Sequence, residues 1–124
     1  MPETYFNLIV AGSRYFNDYY TLEKEIDCFI EELSPVGKLR IFSGGARGAD
    51  RMGELYAREN FVPLKIFKAD WDTHGRSAGP IRNRKMVENA DAAIFFWDGS
   101  SRGTADCISC VQKKKLPIKL VEID

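Results

Sequence analysis

Apolar and polar positions divide this chain into strands and helices that take turns along its length. Residues 6–11 are an almost unbroken apolar run ending at Gly12, as expected of a central strand covered on both faces. Beyond a polar stretch, Leu22, Ile26, Phe29, Ile30 and Leu33 recur at helical spacing with Glu23, Lys24, Asp27 and Glu31 opposite, and Pro35 and Gly37 end that helix. Residues 39–42 make a second strand running into Ser43-Gly44-Gly45, and residues 49–60 read as a helix that buries Met52, Leu55 and Tyr56. Val62, Leu64 and Ile66 alternate with Pro63 and Lys65, which predicts a third strand near a sheet edge, where proline costs no ladder hydrogen bond. Residues 68–79 carry Trp71 and His74 without clear periodicity and are expected to form a long loop, a common form for a lid. Residues 81–89 read as a helix, 92–97 as a second unbroken apolar strand, 105–114 as a helix and 117–123 as a closing strand.

Five strands alternating with four helices predict an α/β protein, a three-layer Rossmann-like fold with a parallel five-stranded sheet and right-handed crossovers. The two fully apolar strands are expected side by side in the middle, so ligands should bind in the crevice between their carboxyl ends. With 124 residues and no break in composition, residues 1–124 are expected to be one domain. Hydrophobic residues at 44% and charged residues at 29% exclude a disordered or fibrous chain. Eighteen basic residues balance eighteen acidic ones, so no global field would hold nucleic acid, and any attraction for phosphate must be local.

No apolar stretch is long enough to cross a bilayer, and Met1-Pro2-Glu3-Thr4 lacks the features of a signal peptide, so a cytoplasmic location without membrane contact is expected. Cys28, Cys107 and Cys110 cannot all pair within one chain and are expected to be free thiols. Cys107-Ile108-Ser109-Cys110 has the spacing of half a zinc or redox site, but it lies in a helix with no second ligand pair, so packing explains it better. His74 has no clustered partners, and neither a metal site nor a required cofactor is expected.

The chemistry lies in four loops at strand-to-helix junctions: Gly12-Ser13-Arg14, residues 43–50, residues 78–84 and residues 98–104. In an open α/β sheet such loops share one edge, where bare N–H groups and helix dipoles favour anions. Ser43, Gly44, Gly45, Arg47 and Gly48 form neither a Walker loop nor a Gly-x-Gly-x-x-Gly fingerprint, but the glycines admit a ligand to the backbone and Arg47 offers a forked phosphate donor. Asp98, Gly99, Ser101, Arg102, Gly103 and Thr104 add hydroxyls, N–H groups and an expected N-cap in Thr104. Arg82 and Arg84 sit at a helix start, where a cation needs a nearby anion, while Asn83 is expected to face solvent. Trp71 and Trp97 fit either core packing or stacking on a base, and Trp97, at a strand's carboxyl end, is the better placed. Taken together, the loops point to a small phosphate-bearing ligand of the nucleotide type.

As an ordered set, these stretches resemble the YspA/YpsA-related branch of the SLOG superfamily, Rossmann-like domains related to the phosphoribohydrolases that activate cytokinins and to the DNA-processing protein DprA. The resemblance rests on Val10-Ala11-Gly12-Ser13-Arg14 with Phe16 and Asp18, on residues 43–50, on Ala78-Gly79-Pro80-Ile81-Arg82-Asn83 with Met86, and on Phe96-Trp97-Asp98-Gly99 followed by Gly103-Thr104. It implies a nucleotide-derived ligand related to NAD or ADP-ribose, held by Gly12, Ser13, Arg14, Gly44, Gly45, Arg47, Gly103 and Thr104, with Arg82 clamping from the side and Trp97 or Asp98 reading base or ribose. It also implies a homodimer, for which the sequence shows no interface. The phosphoribohydrolase relatives cleave an N-glycosidic bond with the glutamate of Pro-Gly-Gly-x-Gly-Thr-x-x-Glu. In this chain Arg82 matches their arginine, Asn83 replaces a lysine and Cys107 stands where the glutamate should be, so hydrolysis would fall to Asp98 or Asp106. Single-stranded nucleic-acid binding, the third possibility, is disfavoured by the net charge of zero.

Overall fold

The computed structural model describes residues 4–123; Met1-Pro2-Glu3, read above for leader features, lies outside them. The chain runs β1 (Tyr5–Gly12), α1 (Tyr19–Leu33), β2 (Lys38–Ser43), α2 (Ala49–Glu59), β3 (Leu64–Ile66), α3 (Trp71–His74), a 3₁₀ turn (Gly75–Ser77), α4 (Ala78–Glu88), β4 (Ala92–Trp97), α5 (Arg102–Lys113) and β5 (Ile118–Glu122). The strands form one parallel sheet in the order β3-β2-β1-β4-β5. The three-layer Rossmann-like α/β fold is therefore present, and β1 and β4 are neighbours, with Leu8 opposite Ala92 and Gly12 opposite Phe96.

From Leu8 to Ala11 in β1 and throughout β4 the central strands are apolar because each serves two cores. Leu8 and Val10 of β1, with Ile94 and Phe96 of β4, pack against Leu22, Ile26 and Phe29 of α1 and Tyr56 of α2. Ile9 and Ala11, with Ala93 and Phe95, point the other way onto Met86 and Val87 of α4 and Cys107, Ile108 and Val111 of α5. A period of two thus fills both faces with apolar side chains. Each fully buried Phe or Ile contributes about 1.5–3 kcal/mol. No helix among the described residues is long and apolar enough to cross a membrane.

Three details differ from the sequence reading. Residues 68–79 are not a structureless loop: Asp70 accepts a hydrogen bond from the Thr73 N–H at 3.1 Å and starts α3, and α4 begins at Ala78 rather than residue 81. Proline at position 80 is tolerated in that first turn, where an N–H has no helical partner. The last helix starts at Arg102 rather than residue 105 because Ser101, not Thr104, is its N-cap, accepting from the Thr104 N–H at 3.4 Å. Lys114, just past the end of α5, donates to the carbonyls of Val87 and Glu88 and so ties the end of α5 to the end of α4.

Candidate functional site

The β1–α1 loop is the hub of the carboxyl edge. Ser13 donates its N–H to Phe96 O at 2.8 Å, its carbonyl accepts from the Ala49 N–H at 3.1 Å, and its Oγ accepts from the Asp98 N–H at 3.2 Å. Three loops from distant parts of the chain are locked together by one residue. Two glycines make the approach possible: a Cβ on Gly12 would overlap the Phe96 carbonyl, and one on Gly48, at φ 77°, would overlap the Ser13 carbonyl and the Arg14 backbone.

Around this hub lie two adjoining hollows. The first, of about 390 Å³, is lined by Gly12, Ser13, Arg14, Arg82, Asp98, Ser101, Arg102, Gly103 and Thr104, together with Tyr15, Asp50, Asn83, Ser100 and Cys107. The second is a wider groove of about 680 Å³, where Gly44, Gly45, Arg47, Asp106 and Trp71 join Arg14, Arg82, Arg102 and Gly103. Arg14, Arg47 and Arg102, which come from three different loops, therefore share one groove. Arg14, Arg47, Lys68, Arg76, Arg82 and Arg102 line it with a single carboxylate, Asp106. A protein of zero net charge has concentrated cations at one place on its surface. A third hollow, on the other side of Ser13, carries Asp18, Asp98 and Glu122 and has the wrong charge for phosphate.

Four of the expected site residues lie off both hollows. Ser43 is fully buried, with its Oγ donating to Glu54 Oε2 at 2.7 Å and accepting from the Gly45 N–H at 3.0 Å, so its hydroxyl is committed inside the protein. Gly48 packs on the hub, and Gly99 only turns the chain, at φ 87°. Trp97 packs on the core beside α5 and donates its indole N–H to Ser101 O at 3.2 Å, whereas Trp71 stands on the groove and is 57% exposed. The indole available to a ligand is therefore that of Trp71, not that of Trp97 at the strand's carboxyl end.

Asn83 is the other departure. Instead of facing solvent it is buried, donating to Asp106 Oδ2 at 2.9 Å and Gly103 O at 3.2 Å and accepting from Arg82 Nε at 2.9 Å. It orients at once a candidate phosphate ligand and a candidate carboxylate. Arg82 also donates through Nη1 to the carbonyl of Gly44, which fixes its guanidinium across the mouth of the β2–α2 loop.

Asp50 is a functional candidate that the sequence reading passed over, although it closes the quoted loop. Its Oδ2 accepts the N–H groups of Gly44 at 3.0 Å and Ala46 at 3.4 Å, which holds the glycine turn in shape. Burial pushes its carboxyl up to about 6, against the opposing pull of those N–H groups and of Arg82. Asp98 behaves in the opposite way: the N–H and Oγ of Ser100 stabilise its exposed carboxylate and hold it below the usual range. Cys107, at the position of the relatives' glutamate, has its thiol pushed up to about 12 by burial and stays protonated. No group of three or more His, Cys, Asp or Glu among the described residues is arranged to hold a metal ion.

The sequence model of the YspA, cpYpsA-related SLOG family matches residues 6–74. Gene 61 protein of Mycobacterium phage D29 is 38% identical over 119 residues, spanning 90% of this chain and 92% of that protein. DNA processing protein A (DprA) from Streptococcus pneumoniae, known from an X-ray structure, superposes with a TM-score of 0.71 at 16% identity, over 96% of this chain and 50% of that one. At such identity the likeness is one of fold, and this chain spans half the length of that neighbour.

Proposed function

The chain belongs to the YspA, cpYpsA-related SLOG family, and from that premise we propose that it binds a nucleotide or nucleotide-derived ligand of the NAD or ADP-ribose kind at the carboxyl edge of its sheet. The observation that carries this reading is the shared wall of Arg14, Arg82 and Arg102, which borders both hollows and is drawn from the β1–α1 loop, α4 and the start of α5. Guanidinium groups bind phosphate through paired, charge-assisted hydrogen bonds, and the N–H of Gly103 in the first turn of α5 adds the positive end of a helix dipole. Ser13, Ser101 and Thr104 supply hydroxyls beside them.

Isothermal titration with ADP-ribose, NAD, AMP and cyclic dinucleotides tests the reading. Binding to at least one of them, weakened tenfold or more by Arg102→Ala, is expected, since a hydrogen bond to a charged group contributes about 1.5–3 kcal/mol. No heat with any of the four, in low salt, overturns it.

One observation favours a hydrolytic reading as well: Asp106 lines the cationic groove with Oδ2 fixed by Asn83, as a carboxylate that steers water or steadies an oxocarbenium-like state would be. Against it, the protonated Cys107 cannot do the work of the glutamate it replaces. Base release from nucleoside monophosphates, abolished in Asp106→Ala, would establish hydrolysis; release unchanged by substitution of both Asp98 and Asp106 would remove these roles.

A further inference from the structure

The geometry points to a two-lobed ligand, a nucleoside diphosphate esterified to a sugar, with its diphosphate on the wall common to the two hollows, its base stacked on Trp71 and its sugar in the Ser13 hollow. The inference rests on the nucleotide reading above and extends it by assigning each part of the ligand to a part of the site.

Three observations carry it. First, Arg14, Arg82 and Arg102 border both hollows, so an anion held there lies at the waist of a continuous site with room on either side. A phosphate monoester and a doubly esterified diphosphate both carry two charges, but the diphosphate spreads them over two phosphorus centres, which suits three guanidinium groups drawn from separate elements at the waist, with Arg47 and Arg76 beyond them. Second, the two sides differ in chemistry. Trp71 stands at the groove side, with its Cη2 3.4 Å from where a Cβ on Gly79 would be, so the ring lies close against the start of α4 while more than half of the residue remains exposed. A side chain seated on a helix and open outward offers a preorganised face for stacking. Third, the hollow on the other side of the waist holds Ser13, whose Oγ takes the Asp98 N–H and keeps its own proton to give, and the carboxylate of Asp98, whose Oδ1 is held by Ser100 and Ser101 while Oδ2 is left as an acceptor, a donor and an acceptor suited to the hydroxyls of a sugar. Its exposed aromatic, Tyr15, is at the rim.

Isothermal titration of the wild-type chain with AMP, ADP, ADP-ribose and UDP-glucose reads the two lobes separately. One of the two sugar nucleotides should bind at least tenfold more tightly than ADP and AMP. Trp71→Ala should weaken that binding about tenfold or more, whereas Trp71→Phe should stay within about threefold of wild type, because a base stacked on an aromatic face accounts for a factor of this size. Circular dichroism of Trp71→Ala should match wild type, since the side chain is exposed. If ADP binds as tightly as both sugar nucleotides, or if a correctly folded Trp71→Ala binds as well as wild type, this assignment is wrong while nucleotide binding stands. If none of the four binds, both fall. A short oligothymidylate that binds more tightly than either sugar nucleotide would also overturn it, in favour of a strand of nucleic acid in the same groove.

Discussion

Replacing Asp50 by asparagine isolates the cost of a buried charge that shapes the β2–α2 loop. Asp50 is 5% exposed, and its Oδ2 takes the N–H groups of Gly44 and Ala46. Burial lifts its carboxyl from the ordinary 3.8 to about 6 in the folded protein. The sign follows directly. A carboxyl with a raised folded value binds its proton more tightly when folded, so its contribution to stability is fully present below pH 3.8, falls as pH rises, and is lost above about 6. The rise corresponds to about 3 kcal/mol. Asparagine has the same shape, can accept the same two N–H groups and does not titrate. The stability of Asp50→Asn relative to wild type should therefore improve by about 2.5 kcal/mol as pH rises from about 4 to about 7.5. Urea denaturation followed by circular dichroism at a series of pH values measures this, and taking the difference at each pH cancels the titration of every other group. A difference that stays flat within about 0.5 kcal/mol across that range would refute the claim that Asp50 is desolvated and charged at neutral pH.

Three further outcomes follow from the packing. Gly48→Ala puts a methyl group into the Ser13 carbonyl at a φ of 77°, so it should cost about 3 kcal/mol in urea denaturation; a loss under about 1 kcal/mol would mean that the loop hub yields easily. Phe96→Ala removes a fully buried ring stacked on Phe16 at 5.0 Å and should cost about 4 kcal/mol, with a lower melting temperature in calorimetry. Maleimide at neutral pH should label exposed Cys28 and spare Cys107, whose thiol sits at about 12; peptide mass mapping that finds both labelled at equal rates would contradict the burial of Cys107.

The sheet was legible because its signal is local. Leu8 and Val10 serve one core and Ile9 and Ala11 the other, so a doubly covered strand appears directly as an apolar run, and the adjacency of two such runs follows from the architecture. What escaped depended on partners far away in sequence or on very short elements. The four residues of α3 cannot show a helical period, and their order comes from the Asp70 cap and from the start of α4 beside Trp71. Asn83 is polar and sits among arginines, so nothing nearby reveals that its amide is spent on Asp106 and Gly103, 23 and 20 residues away. Trp71 and Trp97 are chemically identical, and only the fold decides which indole is built into the wall beside α5 and which is left open. Asp50 stood inside a recognised loop, but a carboxylate among glycines and an arginine looks like surface charge until its burial is known.

The charge arrangement explains why composition understated the site. Of eighteen acidic residues, Glu23, Glu25, Asp27, Glu31 and Glu32 are carried by α1 alone, while six of the eighteen basic ones line a single groove. The totals cancel, but at about 0.15 M salt a charge is felt over only about 8 Å, so a ligand at the groove experiences the local excess and not the sum. A neutral chain can thus hold a dianion or trianion firmly without attracting long polyanions at a distance. Its affinity should therefore fall as ionic strength rises despite the zero net charge, because salt screens the attraction between the ligand and the arginines beside it. Titrations of the binding nucleotide at about 0.05 and about 0.3 M salt measure it, and an affinity that does not change would mean that the arginines of the shared wall are not what holds the ligand.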